Sequence, residues 1–259
     1  DTEGKIYLHS RELRDGKAEI SGTVRVTVLY TPDGESGVRT LDFAMPFSAE
    51  SDAKAMPECA VLLAETEPEL LETRALNPRK VFTRCKLVTR LTGYRRAATE
   101  FCTDAEADAA LCIEKRREVQ HTTALTHIAE KDFTFSDELD LSPGRDGAAE
   151  ILSSRVSCCV TETKVVGSKL ILKGIFTVCL LYRSLEGRCC STSGELPFSQ
   201  IMGVEGASEG WVASVRIQLT GTDIQVDGDH DNRKISVTLY LHATALLRQE
   251  QDVTLLCDL

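Results

Sequence analysis

Aromatic residues are scarce in this chain. They make up 5% of its 259 residues, with a single Trp and five Tyr. The buried surface must therefore come from Val, Leu, Ile, Ala and Cys. A broad platform for stacking sugar rings is also poorly supplied. Long apolar runs are lacking too: none approaches the roughly 18 residues that read as a membrane-spanning helix. The first residues, Asp1 to Lys5, have neither the basic nor the apolar region of a secretory signal, and no initiating Met precedes them. Nor is positive charge in surplus. The net charge is −10 and the pI is near 5.1, so a polyanion is repelled, which argues against nucleic acid as a partner.

Recognisable catalytic and cofactor motifs are missing as well. There is no GxSxG elbow, and Gly203, Gly206 and Gly210 do not form a phosphate-binding loop. His9, His121, His127, His230 and His242 show no metal spacing, and no CxxC pair occurs. His242 falls on the polar face of its strand, where a surface histidine is expected. The most site-like stretch is Asp227-Gly228-Asp229-His230-Asp231-Asn232. Its alternating acids resemble a calcium loop, but the sixth position is Asn232 and the twelfth is Thr238, where Gly and Glu are needed. An acidic hairpin turn is the better reading. No catalytic, cofactor-binding or metal-binding residue is assigned, and an enzyme is not expected.

Ten cysteines are present. Cys85, Cys158 and Cys179 lie in strand-like apolar runs, where Cys acts as a small hydrophobe. Reduced cysteines in a cytoplasm are the favoured reading. Neighbours Cys158-Cys159 point to opposite faces of a strand. Cys189-Cys190 fall in an expected loop and leave redox or cross-linking use open.

What the chain does contain is a repeat. Gly22-Thr-Val-Arg-Val-Thr-Val-Leu-Tyr30 matches Gly174-Ile-Phe-Thr-Val-Cys-Leu-Leu-Tyr182. Pro46-Phe47-Ser48 matches Pro197-Phe198-Ser199, and Arg79-Lys80-Val81 matches Arg233-Lys234-Ile235. The three offsets are about 152, 151 and 154 residues, so the order is kept with only small insertions. The third anchor opens two clear strands. Val81, Thr83, Cys85, Leu87, Thr89 and Leu91 alternate with Arg84, Lys86 and Arg90. Ile235, Val237, Leu239, Leu241 and Ala243 alternate with Ser236, Thr238 and His242. A period of two with one polar face predicts antiparallel strands on a core. Trp211, Ala213, Val215, Ile217 and Leu219 form another alternating run, which reads Trp211 as core. Turn signals at Pro32-Asp33-Gly34, Pro143-Gly144, Glu186-Gly187 and Asp227-Gly228 separate the strands. The expected class is all-β, mainly antiparallel, with two tandem sandwich or barrel-like modules.

Two stretches break the pattern. Glu65, Glu67, Pro68 and Glu69 spoil the alternation of residues 58–72, and Pro68 belongs at an edge or bulge. Residues 104–120, Asp104 to Gln120, fit a short helix capped by Asp104 as well as a strand or a linker. The expected layout is a first module at 1–100, a connecting segment at 101–138 and a second module at 139–259. The connecting region, up to about residue 150, is expected to supply the first strands of the second module.

The second copy resembles the SPOCS domain, a domain of unknown function found in LysM-containing proteins of spore formers. The residues that carry the resemblance are Ile151-Leu152, Val156 to Val160, Lys164 to Lys169, Gly174 to Tyr182 and Glu195 to Gln200. The first copy is similar through Asp15-Gly16-Lys17 and Met45-Pro46-Phe47-Ser48, but carries Ala49 where the family favours Gln. The segment leading into Lys5 is lacking, which fits a fragment of a longer protein. The resemblance implies a β-rich fold without enzymatic activity. It also implies a role in building the spore envelope in the mother-cell cytoplasm, by docking onto the polymerising coat ATPase at the forespore surface. Many members carry a LysM module for peptidoglycan-like glycan, and no such segment is found up to Leu259. The alternative from the fold alone is a carbohydrate or cell-wall binding module.

Overall fold

The computed structural model describes residues 1–34, 37–56, 61–106, 108, 113–228 and 231–258. Among them it has eleven strands and no helix. In chain order these are β1 (Thr2–Arg14), β2 (Lys17–Tyr30), β3 (Arg39–Asp52), β4 (Val61–Asn77) and β5 (Lys80–Tyr94). Then come β6 (Arg116–Asp140), β7 (Ala148–Val166), β8 (Lys169–Ser184), β9 (Cys189–Gly203), β10 (Val212–Asp227) and β11 (Lys234–Asp258). Every pairing is antiparallel. The chain is all-β and fits two tandem modules, as its alternation requires.

The repeat is visible strand by strand. One sheet of the first copy runs β1-β2-β3, and that of the second runs β7-β8-β9. The facing sheets are β4-β5 in the first copy and β10-β11-β6 in the second. Among the described residues β5 pairs with β4 alone, whereas its counterpart β11 pairs with both β10 and β6. β6 occupies residues 116–140, mostly within the segment expected to connect the modules, and pairs along nearly all of β11. Beyond Arg248 that pairing continues without β10, as a two-stranded ribbon.

The core of the second copy lies between its two sheets. Ile235, Val237, Leu239, Leu241 and Ala243 of β11 are 0–1% exposed, so the alternating residues face inward as their period demands. The first four of them pack with Phe176, Val178, Leu180 and Tyr182 of β8, and Leu196 and Phe198 of β9. Each fully buried Leu or Ile stabilises the sandwich by roughly 1.5–3 kcal/mol. A second cluster continues the same layer through Leu170, Leu172, Met202, Val204, Ala245 and Leu247, with Trp211 half-buried against it. The first copy buries far less. Val24, Val26 and Val28 of β2 form its core, covered by half-buried Phe43, Met45, Phe47, Leu71, Cys85 and Leu87.

Two of the repeated anchors turn out to be one contact. Gly22 pairs across the sheet with Phe47, and Gly174 with Phe198. A Cβ on Gly174 would lie 2.5 Å from the Phe198 ring, and one on Gly22 would lie 2.5 Å from Phe47. The ring rests in the space a side chain would need. The glycine and the phenylalanine are thus kept together because each fills what the other leaves.

Several expectations change. The described part of residues 104–120 is coil followed by the start of β6, not helix; residues 107 and 109–112 lie outside the described residues. Asp104 caps no helix. It accepts from Lys115 Nζ at 2.7 Å, from Arg117 at 2.8 Å and from its neighbour Ala105 N at 2.9 Å. Hydrogen bonds from Lys115 and then Arg117 hold its carboxyl down at about 2. Residues 61–77 form one continuous strand despite the broken alternation, and the register of β4 slips between Pro68 and Leu70. That bulge is what Pro68 requires, because it has no N–H to donate.

Cys189-Cys190 are not in a loop: they open β9, opposite Arg183 and Tyr182. Cys189 is exposed, while Cys190 packs on the core. The Cys158-Cys159 pair splits as strand geometry dictates, with Cys158 against the core and Cys159 exposed. Burial pushes the Cys158 thiol up to about 11. At pH 8 its thiolate population is roughly a hundredfold below that of an ordinary thiol, and the thiolate is what reacts. Iodoacetamide therefore labels Cys159 and Cys179 well before Cys158, a difference read by time-resolved peptide mass spectrometry. Equal labelling rates would place Cys158 on the outer face.

Candidate functional site

The two copies pack against each other, and a cleft lies between them. It is about 870 Å³ and is lined by β1 and β4 of the first copy and by β6, β10 and β11 of the second. The register of β1 shifts between Leu8 and Ser10, beside this cleft. Ile6 and Leu8 present apolar surface, while His9 and Arg11 on the same strand carry polar groups into the region.

A cluster of charged side chains sits in this cleft. Arg11 pairs with Glu130 of β6. Glu130 also lies 3.2 Å from His242 Nε2, and Asp132 lies 2.7 Å from His242 Nδ1. His242 and Asp132 are direct cross-strand partners in the β6-β11 ladder. The His242 side chain is only 16% exposed, so this is not the surface histidine the sequence suggested. Both its ring nitrogens face carboxylates, and Arg11 Nη2 also lies 3.5 Å from Nε2. The cluster acts as a latch from β1 of one copy to β6 and β11 of the other.

Further ties surround the latch. Tyr7 Oη is 3.1 Å from Thr222 Oγ1, Lys5 Nζ donates to Ser154 Oγ at 2.8 Å, and Gln218 Nε2 donates to Ala64 O at 3.2 Å. Arg216 pairs with Glu65, and Ser153 donates to Glu3. Burial holds the Lys5 ammonium below its ordinary range, partly offset by Glu3. Tyr7 is buried at 5% exposure. Arg11→Ala paired with Glu130→Ala in a double-mutant cycle should show a coupling of about 1 kcal/mol in urea denaturation. A coupling near zero would mean that the latch adds nothing to the docking of the copies.

The remaining candidates are dispersed. Asp227 and Gly228 close β10, and Asp231 and Asn232 take left-handed turn conformations before β11; Asp229 and His230 lie outside the described residues. Among the described residues no group of three or more His, Cys, Asp or Glu is placed to hold a metal. His9 Nε2 lies 2.9 Å from Thr23 Oγ1, and His121 contacts Asp252 in the protruding ribbon. Tyr182 is fully buried, whereas its repeat partner Tyr30 is 43% exposed.

Arg233 has a defined task. Its guanidinium donates to the carbonyls of Ser142 (3.3 Å), Pro143 (2.8 Å) and Arg145, in the loop that leaves β6. The next residue, Lys234, donates to Glu138 of β6 at 2.7 Å. The third repeated anchor is therefore a clamp on β6 and its trailing loop. Its cationic residues were visible in the sequence, but what they grip depends on a pairing between residues about 90 positions apart.

A family model, described as SipL, SPOCS domain, matches residues 1–70 and 147–227. Together these segments exceed half of the chain. The chain belongs to the SPOCS domain family. The matched segments run from β1 into β4 in the first SPOCS copy and from β7 to β10 in the second, and they contain the first two of the three repeated anchors. SPOCS is a sporulation-related and non-catalytic domain family. No curated protein and no solved structure matches the chain.

Proposed function

We propose that this chain is a non-enzymatic component of spore-envelope assembly that works through protein–protein contacts. The observation that carries the reading is that a SPOCS match covers part of each copy, residues 1–70 and 147–227. The polar latch between the copies supports it, since that cluster joins two modules and presents no nucleophile–base pair. The partner proposed from the family is the polymerising coat ATPase, met at the forespore surface in the mother cell. The carbohydrate-binding alternative is less well supported, because Trp211 packs against the second core cluster and supplies no open platform. A fluorescent fusion in sporulating cells should gather at the forespore surface, and that ATPase should co-purify with it. Uniform fluorescence through the mother cell, with no ATPase recovered, would sink the proposal.

A further inference from the structure

We propose that Lys5 is an acylation site at the junction of the two copies, and that its modification by a small acyl phosphate loosens their contact. The inference goes beyond the assembly role and needs no assembly partner.

Lys5 stands on β1 of the first copy, and its Nζ donates to Ser154 Oγ on β7 of the second at 2.8 Å. Other lysines end on carboxylates: Lys17 on Glu50, Lys173 on Glu162 and Lys234 on Glu138. A hydroxyl accepts from an ammonium without bringing the negative charge that makes such a bond strong. It also donates to a neutral amine, which an ionised carboxylate cannot do.

The carboxylates whose charge reaches Lys5 are engaged elsewhere. Glu3 accepts from Ser153 Oγ at 2.5 Å and lies 3.6 Å from Arg155 Nε. Asp42 accepts from Thr27 Oγ1 at 2.5 Å. Arg25, the cross-strand partner of Lys5, and Arg155 add like charge. Burial, opposed by Glu3 and joined by Arg25, holds the ammonium below its ordinary range. Hydrogen bonds to Glu50 and Glu138 hold Lys17 and Lys234 above it. Lys5 therefore offers more neutral amine than either of them near neutral pH.

An acyl donor has room to reach this amine. Lys5 borders a cavity of about 460 Å³ between the copies, lined also by Ala44, Ile151, Thr222 and Asp223. The neutral amine attacks the carbonyl carbon of the acyl phosphate. A C–N bond forms, the C–O bond to phosphate breaks, and phosphate leaves with that electron pair while the nitrogen gives a proton to solvent. The product is an uncharged amide. It takes a cation away from Glu3, Asp42 and Asp223 and crowds the contact with Ser154, so β1 and β7 part more readily.

The test incubates the full chain with acetyl phosphate at pH 8 and follows each lysine by peptide mass spectrometry. Lys5 should acylate at least about fivefold faster than Lys17 and Lys234. The advantage should vanish in the chain unfolded in urea. A Ser154→Asp variant, which gives Nζ a carboxylate, should bring Lys5 back to the rate of Lys17. Acetyl-lysine installed at position 5 by codon suppression should raise amide exchange about twofold in β1 and β7 and leave buried β8 unchanged. Four results would overturn the proposal: equal rates for the three lysines, an advantage that survives in urea, undiminished acylation in the Ser154→Asp variant, and unchanged exchange in the acetylated chain.

Discussion

Phe176→Ala lowers the stability of the second SPOCS copy by about 3–5 kcal/mol, the range for deleting a fully buried aromatic ring. The residue is 0% exposed and sits between two other rings, 4.4 Å from Phe198 and 4.9 Å from Phe135. Those three rings come from β8, β9 and β6, so one side chain joins both sheets of the sandwich. Truncation removes the transfer free energy of the ring and leaves a cavity that the strand ladders keep from collapsing. Ring–ring contacts add roughly 0.5–1.5 kcal/mol per pair beyond area burial. Few aromatics exist in the chain to compensate. Urea denaturation followed by the single Trp211, which packs on the adjoining cluster, reads the loss directly. The repeat places Val24 at the corresponding site, where truncation to Ala removes fewer atoms and should cost less. A loss below about 1 kcal/mol for Phe176→Ala would mean that the two sheets are not packed as described.

How far this fold could be read from residues depends on which forces set each element. β8 and β11 were legible because both are central strands with one buried face, and alternation is the direct imprint of that environment. β4 was harder. It packs at the edge between β1 and β5, so acidic residues and Pro68 can sit there, with the bulge absorbing the missing donor. β6 carries its own signal in Ala129, Phe133, Phe135 and Leu139. Its partner, however, is more than 90 residues later in sequence at every paired position. The latch was hidden for the same reason. Arg11, Glu130, Asp132 and His242 come from three distant strands, and only the docking of the copies brings them together. His242 shows the cost of local reading: its face is polar, yet docking covers it. Repetition was the most informative signal, and the cross-strand pairs Gly22–Phe47 and Gly174–Phe198 show one contact used twice.

Gly174→Ala carries the other large expected effect, a loss of about 3 kcal/mol. The argument turns on what surrounds the missing Cβ. It would lie 2.4 Å from the Cys159 carbonyl oxygen and 2.5 Å from the Phe198 ring. A ring can tilt, but a carbonyl held in the β7-β8 ladder cannot move without breaking pairing. The strain therefore falls on the ladder as well as on the side chain. Removing the ring in a Gly174→Ala/Phe198→Ala variant should not restore stability, because the carbonyl remains. Gly22→Ala should act in the same direction in the first copy, where a Cβ would meet the Tyr7 carbonyl at 2.5 Å. Gly203→Ala is the control, since nothing lies within 4 Å of the position its Cβ would take. Its effect should stay within about 0.5 kcal/mol. If denaturation midpoints of Gly174→Ala and Gly203→Ala coincide, the glycine is not held by close approach, and its recurrence beside phenylalanine in both copies loses its physical cause.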